Sequence, residues 1–70
     1  MDWKIISKKI DTAEISQTNH QSIYLVYVRD GVGNNIEAKE AYGVEHRTAV
    51  TKELALKYQS HGIVKIEHEE

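Results

Sequence analysis

The segment Ser22-Ile23-Tyr24-Leu25-Val26-Tyr27-Val28-Arg29, closed by Asp30-Gly31, decides the fold of this chain. Apolar or aromatic side chains occupy both alternating faces of the segment, and the Asp-Gly pair after it is a typical turn sequence. A strand with this pattern is typical of the middle of a sheet that is covered on both faces. The segment therefore predicts a central β-strand in a compact folded domain.

Residues 3–15 allow two interpretations. Helical spacing is present at Trp3, Ile6, Ile10 and Ala13, but the stretch is also rich in β-branched residues, which favour a strand. We predict a strand and keep a helix as the alternative. The polar residues 16–21 are rich in turn formers, which fits a hairpin loop into the central strand.

A third strand is predicted after the Gly33-Asn34-Asn35 turn cluster, because polar and apolar residues alternate there. We expect its apolar set to face the core and its polar set to face water. Glu40 has the parity of the apolar set, so we expect it beyond the edge of the core or against a partner. The apolar set is Ile36, Ala38, Tyr42 and Val44, and the polar set is Glu37, Lys39 and Glu45.

A helix is predicted from Ala49 to His61, with Thr48 as its N-cap and Gly62 at its end. Its apolar stripe contains Val50, Leu54, Ala55 and Tyr58, whereas Leu56 lies on the opposite side. Residues 63–66 predict a short strand, and we expect the polar residues 67–70 to fray. These elements predict one α+β domain over residues 1–70. It has a small, mostly antiparallel sheet of three or four strands in the order β-β-β-α-β, with one helix packed on one face.

Composition excludes several classes of protein. The chain has 70 residues, no cysteine and a net charge of −2, so it has no disulfide framework and no cysteine-ligated metal. No apolar run reaches the roughly 20 residues of a membrane helix, and residues 1–5 lack the apolar core of a signal peptide. We therefore expect a cytoplasmic protein without a membrane partner.

Nothing in the sequence indicates catalysis or a cofactor. The serines lack a nucleophile motif, and Gly31-Val32-Gly33 is not followed by the lysine and helix of a phosphate loop. His46, His61 and His68 lack the spacing of metal ligands. We predict a protein that is not an enzyme and that binds neither metal nor cofactor.

The remaining function is surface contact with another protein. A domain this short has a thin margin of stability, and an edge strand with few protective features pairs readily with a second strand. We predict a protein-interaction module, a small regulator or inhibitor, that forms a homodimer. The candidate interface residues are Ile36, Ala38, Glu40, Tyr42 and Leu56.

The alternative is a nucleic-acid-binding accessory protein. Its candidate surface is the basic cluster of Lys4, Lys8 and Lys9, joined by Arg29. Two features disfavour this alternative. Tyr24 and Tyr27 have opposite parity and cannot form one stacking platform, and the third strand carries glutamates where a phosphate-binding surface needs bases.

Overall fold

A computed structural model describes residues 2–69. Its elements are β1 (Trp3–Glu14), β2 (His20–Arg29), β3 (Asn35–Tyr42), α1 (Val44–Tyr58), a 3-10 turn (Gln59–His61) and β4 (Val64–Glu69). The strands form one mixed sheet in the order β3-β2-β1-β4, with α1 packed on one face. The predicted α+β fold and its element order are confirmed, and residues 3–14 form the strand rather than the helix.

β2 is central because it pairs antiparallel with both β1 and β3. β4 pairs parallel with β1, which makes β3 and β4 the edge strands of the sheet. Asp30 closes the turn into β3, since its Oδ1 accepts the backbone N–H groups of Val32, Gly33 and Asn34 at 2.9 Å each. These hydrogen bonds hold the pKa of the Asp30 carboxyl below its ordinary value, with the Asn34 N–H as the largest cause.

The core lies between the sheet and α1. Ile5, Val26, Val28 and Leu54 are fully buried there. Further members are Tyr24, Ala41, Val50 and Tyr58, with Trp3, Ala55 and Val64 packed against them. The predicted helix stripe is therefore confirmed, and Leu56 is 66% exposed on the solvent side. Among residues 2–69, no helix has the length and apolar character needed to cross a membrane.

The helix begins earlier than predicted. Gly43, with φ 88° and ψ 164°, precedes α1, and its carbonyl accepts the first helical hydrogen bond from the Arg47 N–H at 3.0 Å. Few residues other than glycine adopt this backbone conformation, so Gly43 rather than a polar side chain sets the boundary. The Thr48 hydroxyl donates to the Val44 carbonyl at 3.0 Å inside the helix, so the predicted Thr48 cap is wrong and Val44 is helical.

At its other end α1 stops at Tyr58 and the 3-10 turn continues to His61. Gly62 ends this segment as predicted, but its φ of 142° and ψ of −161° are an extended conformation that favours glycine and not the left-handed helical one. Residues 67–70 were expected to fray; residues 67–69 belong to β4, and Glu70 lies outside the described residues.

The prediction that β2 is covered on both faces is wrong. Val26 and Val28 are buried beneath α1, whereas Leu25 and Tyr27 on the other face are only half-buried. A single helix supplies cover for one face of the sheet, and the described chain contains no second layer for the other. The apolar residues of that second face are therefore left toward solvent.

The two faces of β3 are also the reverse of the prediction. Glu37 and Lys39 lie on the helix side, because their register partners on β2 are the buried Val28 and Val26. Their charges are satisfied by α1: Lys57 Nζ lies 2.9 Å from Glu37 Oε1, and Lys39 Nζ lies 2.9 Å from Glu53 Oε1. Ala38, Glu40 and Tyr42 consequently face away from the helix.

The hairpin of β1 and β2 extends past the rest of the sheet. β4 pairs with β1 only as far as Lys8, and β3 pairs with β2 only from Ile23. Residues 10–21, which we name the arm, therefore project as a two-stranded ribbon with a tight connection in which Asn19 O accepts the Ile15 N–H at 2.9 Å. The arm contributes to the elongated shape of the molecule, 46 × 19 × 15 Å.

Candidate interaction surface on the open face of the sheet

The sheet face opposite α1, which we name the open face, is an apolar surface with charged borders. Tyr27 lies at its centre, with Ile6 of β1, which is only 3% exposed, on one side and Ala38 of β3 on the other. Because successive side chains of a strand point to opposite faces, every second residue of each strand lies on the open face, except at the register irregularities. On β1, β2 and β3 the open face contains Lys4, Ile6, Lys8, Asp11, Ile23, Leu25, Tyr27, Arg29, Asn35, Ala38, Glu40 and Tyr42. On β4 it contains Lys65, Glu67 and Glu69, the register partners of Lys4, Ile6 and Lys8.

A shallow depression of about 260 Å³ lies on the open face. Ala38, the smallest side chain of its lining, is the register partner of Tyr27. Its lining combines apolar side chains with two cations, a combination that suits an apolar side chain next to a carboxylate. The lining residues are Lys8, Leu25, Tyr27, Arg29, Asn35 and Ala38.

Arg29 is held in place by Tyr27. The guanidinium carbon of Arg29 lies 5.6 Å from the centroid of the Tyr27 ring, within the range of a cation–π contact. The Arg29 Nε atom is buried and has no hydrogen-bond partner. Within residues 2–69, neither Arg29 nor Lys8 forms an ion pair. Their charges are therefore open to a ligand.

The opposite border of the open face is acidic and aromatic. The Tyr42 hydroxyl donates to Glu40 Oε2 at 2.8 Å, and this hydrogen bond raises the pKa of the Tyr42 phenol. The Tyr42 ring stacks on His46 with 6.2 Å between centroids, and the Tyr42 N–H donates to His46 Nδ1 at 3.0 Å. These contacts fix Tyr42, which is 46% exposed, at the β3 edge.

The structure brings together only part of the predicted interface. Ala38, Glu40 and Tyr42 lie on the open face, and Ile36, 43% exposed, lies next to the irregularity in the β2–β3 register. Leu56 lies on the outer side of α1, in the other layer of the molecule. One flat contact cannot include Leu56 with the β3 residues.

The predicted basic cluster is also divided. Lys4 and Arg29 are register partners on the open face, and Lys8 follows on the same face beside Leu25. Lys9 is the register partner of the buried Tyr24, so it belongs to the opposite face. Lys4 is already paired with Glu67 at 3.1 Å.

The three histidines considered above as metal ligands each make a separate contact. His61 stacks on Trp3 at 5.1 Å, His46 contacts Tyr42, and His68 Nδ1 is hydrogen-bonded to the Ser7 hydroxyl. Ser7 is fully buried, so its hydroxyl cannot reach a substrate. Among the described residues, no cluster of three or more histidine or carboxylate side chains has the arrangement of a metal site.

No family model, curated protein or solved structure matches this chain.

Sequence reasoning missed the centre of the open face. Leu25 and Tyr27 were expected in a covered interior, and the pairing of Tyr27 with Arg29 was not anticipated. The signal was present in the apolar second face of β2, since a chain with one helix has no element to cover it.

Proposed function

We propose that this protein is a non-catalytic protein-interaction module, a small regulator or inhibitor, and that it binds its partner through the open face. The observation that carries this proposal is the half-buried apolar pair of Leu25 and Tyr27, next to the buried Ile6, on a sheet face that α1 does not cover. Contiguous exposed apolar surface with a polar border is typical of a protein interface.

The charges of the open face support a protein partner over a nucleic acid. Lys8 and Arg29 are opposed by Glu40 on the neighbouring part of the same face, and Glu67 neutralises Lys4. A surface that binds phosphate backbones carries a net excess of bases, whereas mixed charges around an apolar centre favour complementary pairing with another protein.

Photo-crosslinking in cells tests this proposal. A photoreactive phenylalanine analogue would replace Tyr27 on the open face, and a matched variant would carry it at Leu56, which is exposed on the other side of the molecule. We expect discrete protein adducts from position 27 and none of the same mass from position 56. Equal adducts from both positions, or none from position 27, would contradict the proposal.

Nucleic-acid binding is the second candidate, favoured by one observation. Tyr27 and Arg29 stack beside Lys8, which is an arrangement that can hold a base and a phosphate. Fluorescence anisotropy of labelled single-stranded DNA and RNA at low and high salt tests it. Saturable binding that weakens with salt, and that is lost in Lys8→Glu but kept in Lys52→Glu, would favour this candidate over a protein partner.

A further inference from the structure

Apart from Gln21 at its base, whose Nε2 donates to the Tyr42 carbonyl at 3.3 Å, the arm forms no backbone pairing with β3 or β4 within residues 2–69. Ile10 in β1 is 47% exposed, and Ile15 in the connection that follows β1 is 63% exposed. In the described part of the chain, the ribbon has no paired strand beside it. A two-stranded ribbon alone is at best marginally stable in water. An arm of this length with exposed isoleucines therefore becomes more stable when another protein surface covers those side chains.

The arm and the open face have complementary chemistry. Residues 10–21 contain Asp11 and Glu14 and no lysine or arginine. The open face presents Lys8 and Arg29, which have no ion-pair partner within residues 2–69, around the apolar depression. The open face as a whole carries mixed charges, but the charged residues that line the depression are the cations Lys8 and Arg29. An acidic ribbon with isoleucines thus matches the depression in both charge and hydrophobicity.

We infer that the occupant of the open face is the arm of a second copy of this chain. Ile15 near the arm tip enters the depression between Tyr27 and Ala38 of the partner copy, and Glu14 meets Lys8 and Arg29 there. A two-fold axis makes the contact reciprocal, so each copy supplies one arm and one face. This inference rests on the proposed function, because it assigns a partner to the same surface.

Charge reversal with sedimentation equilibrium tests the inference. The wild type is expected at twice the chain mass of 8.0 kDa. An arm variant (Asp11→Lys with Glu14→Lys) and a face variant (Lys8→Glu with Arg29→Glu) are each expected to be monomers, since both contacts then join like charges. An equimolar mixture of the two is expected to restore a dimer, because each arm meets a face of opposite charge in the mixed pair.

The exposed Lys52→Glu on α1 is the matched control and keeps the wild-type mass. Far-UV circular dichroism establishes that each variant is folded. A wild type that remains at 8.0 kDa up to the hundred-micromolar range would overturn the inference. A dimer that neither reversal weakens, or two monomeric variants that do not recombine, would overturn it as well.

A disulfide test covers the case in which a charge-reversed variant does not fold. The chain has no cysteine, so any disulfide that forms must join two introduced cysteines. Oxidation of an equimolar mixture of Ile15→Cys and Ala38→Cys is expected to give a mixed disulfide in high yield, compared with Ile15→Cys mixed with Leu56→Cys. Equal yields would overturn the arm contact. Adducts of a different protein at position 27, with a monomeric wild type, would retain the proposed function and reject only the second copy.

Discussion

Truncation of Leu54 to alanine is the most direct test of the core. Leu54 is fully buried between α1 and the sheet, and Leu56 on the same helix is 66% exposed. Leucine-to-alanine changes at fully buried sites cost about 2.7–5 kcal/mol. A chain of 70 residues is expected to have a total stability of about 3.5–10 kcal/mol, from about 0.05–0.15 kcal/mol per residue. Leu54→Ala therefore removes between a quarter and all of the free energy of unfolding.

Urea denaturation at one fixed protein concentration measures this effect. The single tryptophan, Trp3, stacks on Tyr58 with 5.4 Å between centroids, so its fluorescence reports the helix–sheet contact. With a denaturant slope of about 1–1.5 kcal/mol/M for a small domain, we expect Leu54→Ala to lower the midpoint by about 2 M or more. The matched Leu56→Ala variant is expected to stay within about 0.5 kcal/mol of the wild type. Equal midpoints for the two variants would refute the assignment of the buried helix face.

Four further predictions follow from the described contacts. Val26→Asp places a charge at a fully buried central position and is expected to unfold the domain, so a native circular dichroism melt would contradict it. Gly43→Ala is expected to lower stability by about 1–3 kcal/mol, measured by thermal melting, because φ there is +88° and a Cβ would approach Gln21 to 3.1 Å. Hydrogen bonds from Lys57, and then from Tyr58, lower the pKa of Glu37 from its ordinary 4.5. The stabilisation from the charged Glu37 is therefore complete above pH 4.5 and is lost as pH falls through the lower pKa of the folded state. Glu37→Gln should flatten the acid side of the Tm–pH curve, and an unchanged curve would reject this role. Excess chelator is expected to leave the Tm unchanged, and a drop reversed by one stoichiometric divalent ion would contradict the prediction that no metal is bound.

Local patterns in the sequence predicted most of the secondary structure. The β-branched residues of β1 outweighed its helical spacing because the strand gains cross-strand neighbours on β2 and β4, as Ile5 does opposite Val28 and Ile66. The stripe of Val50, Leu54 and Tyr58 predicted the buried helix face correctly, since helical periodicity is a local property.

The alternation of polar and apolar residues in β3 did not show which face of the strand meets α1. Alternation establishes two faces but does not show which one meets the helix, and here the polar face does so because α1 offers Lys57 and Glu53 as partners for Glu37 and Lys39. The same limit applied to the second face of β2. Whether an apolar face is covered depends on the number of layers, which is a global property of the fold.

The pairing of β4 with β1 is a long-range contact that affects the rate of folding and the order in which the strands pair. β1, β2 and β3 follow one another through short turns, but the contact between Ser7 and His68 joins residues 61 positions apart. Closing so long a loop costs more chain entropy than forming a hairpin, and it slows folding. Until β4 arrives, β1 has a free backbone edge that another unfinished chain can bind. Refolding yield is therefore expected to fall as protein concentration rises, with the docking of β4 as the slow step.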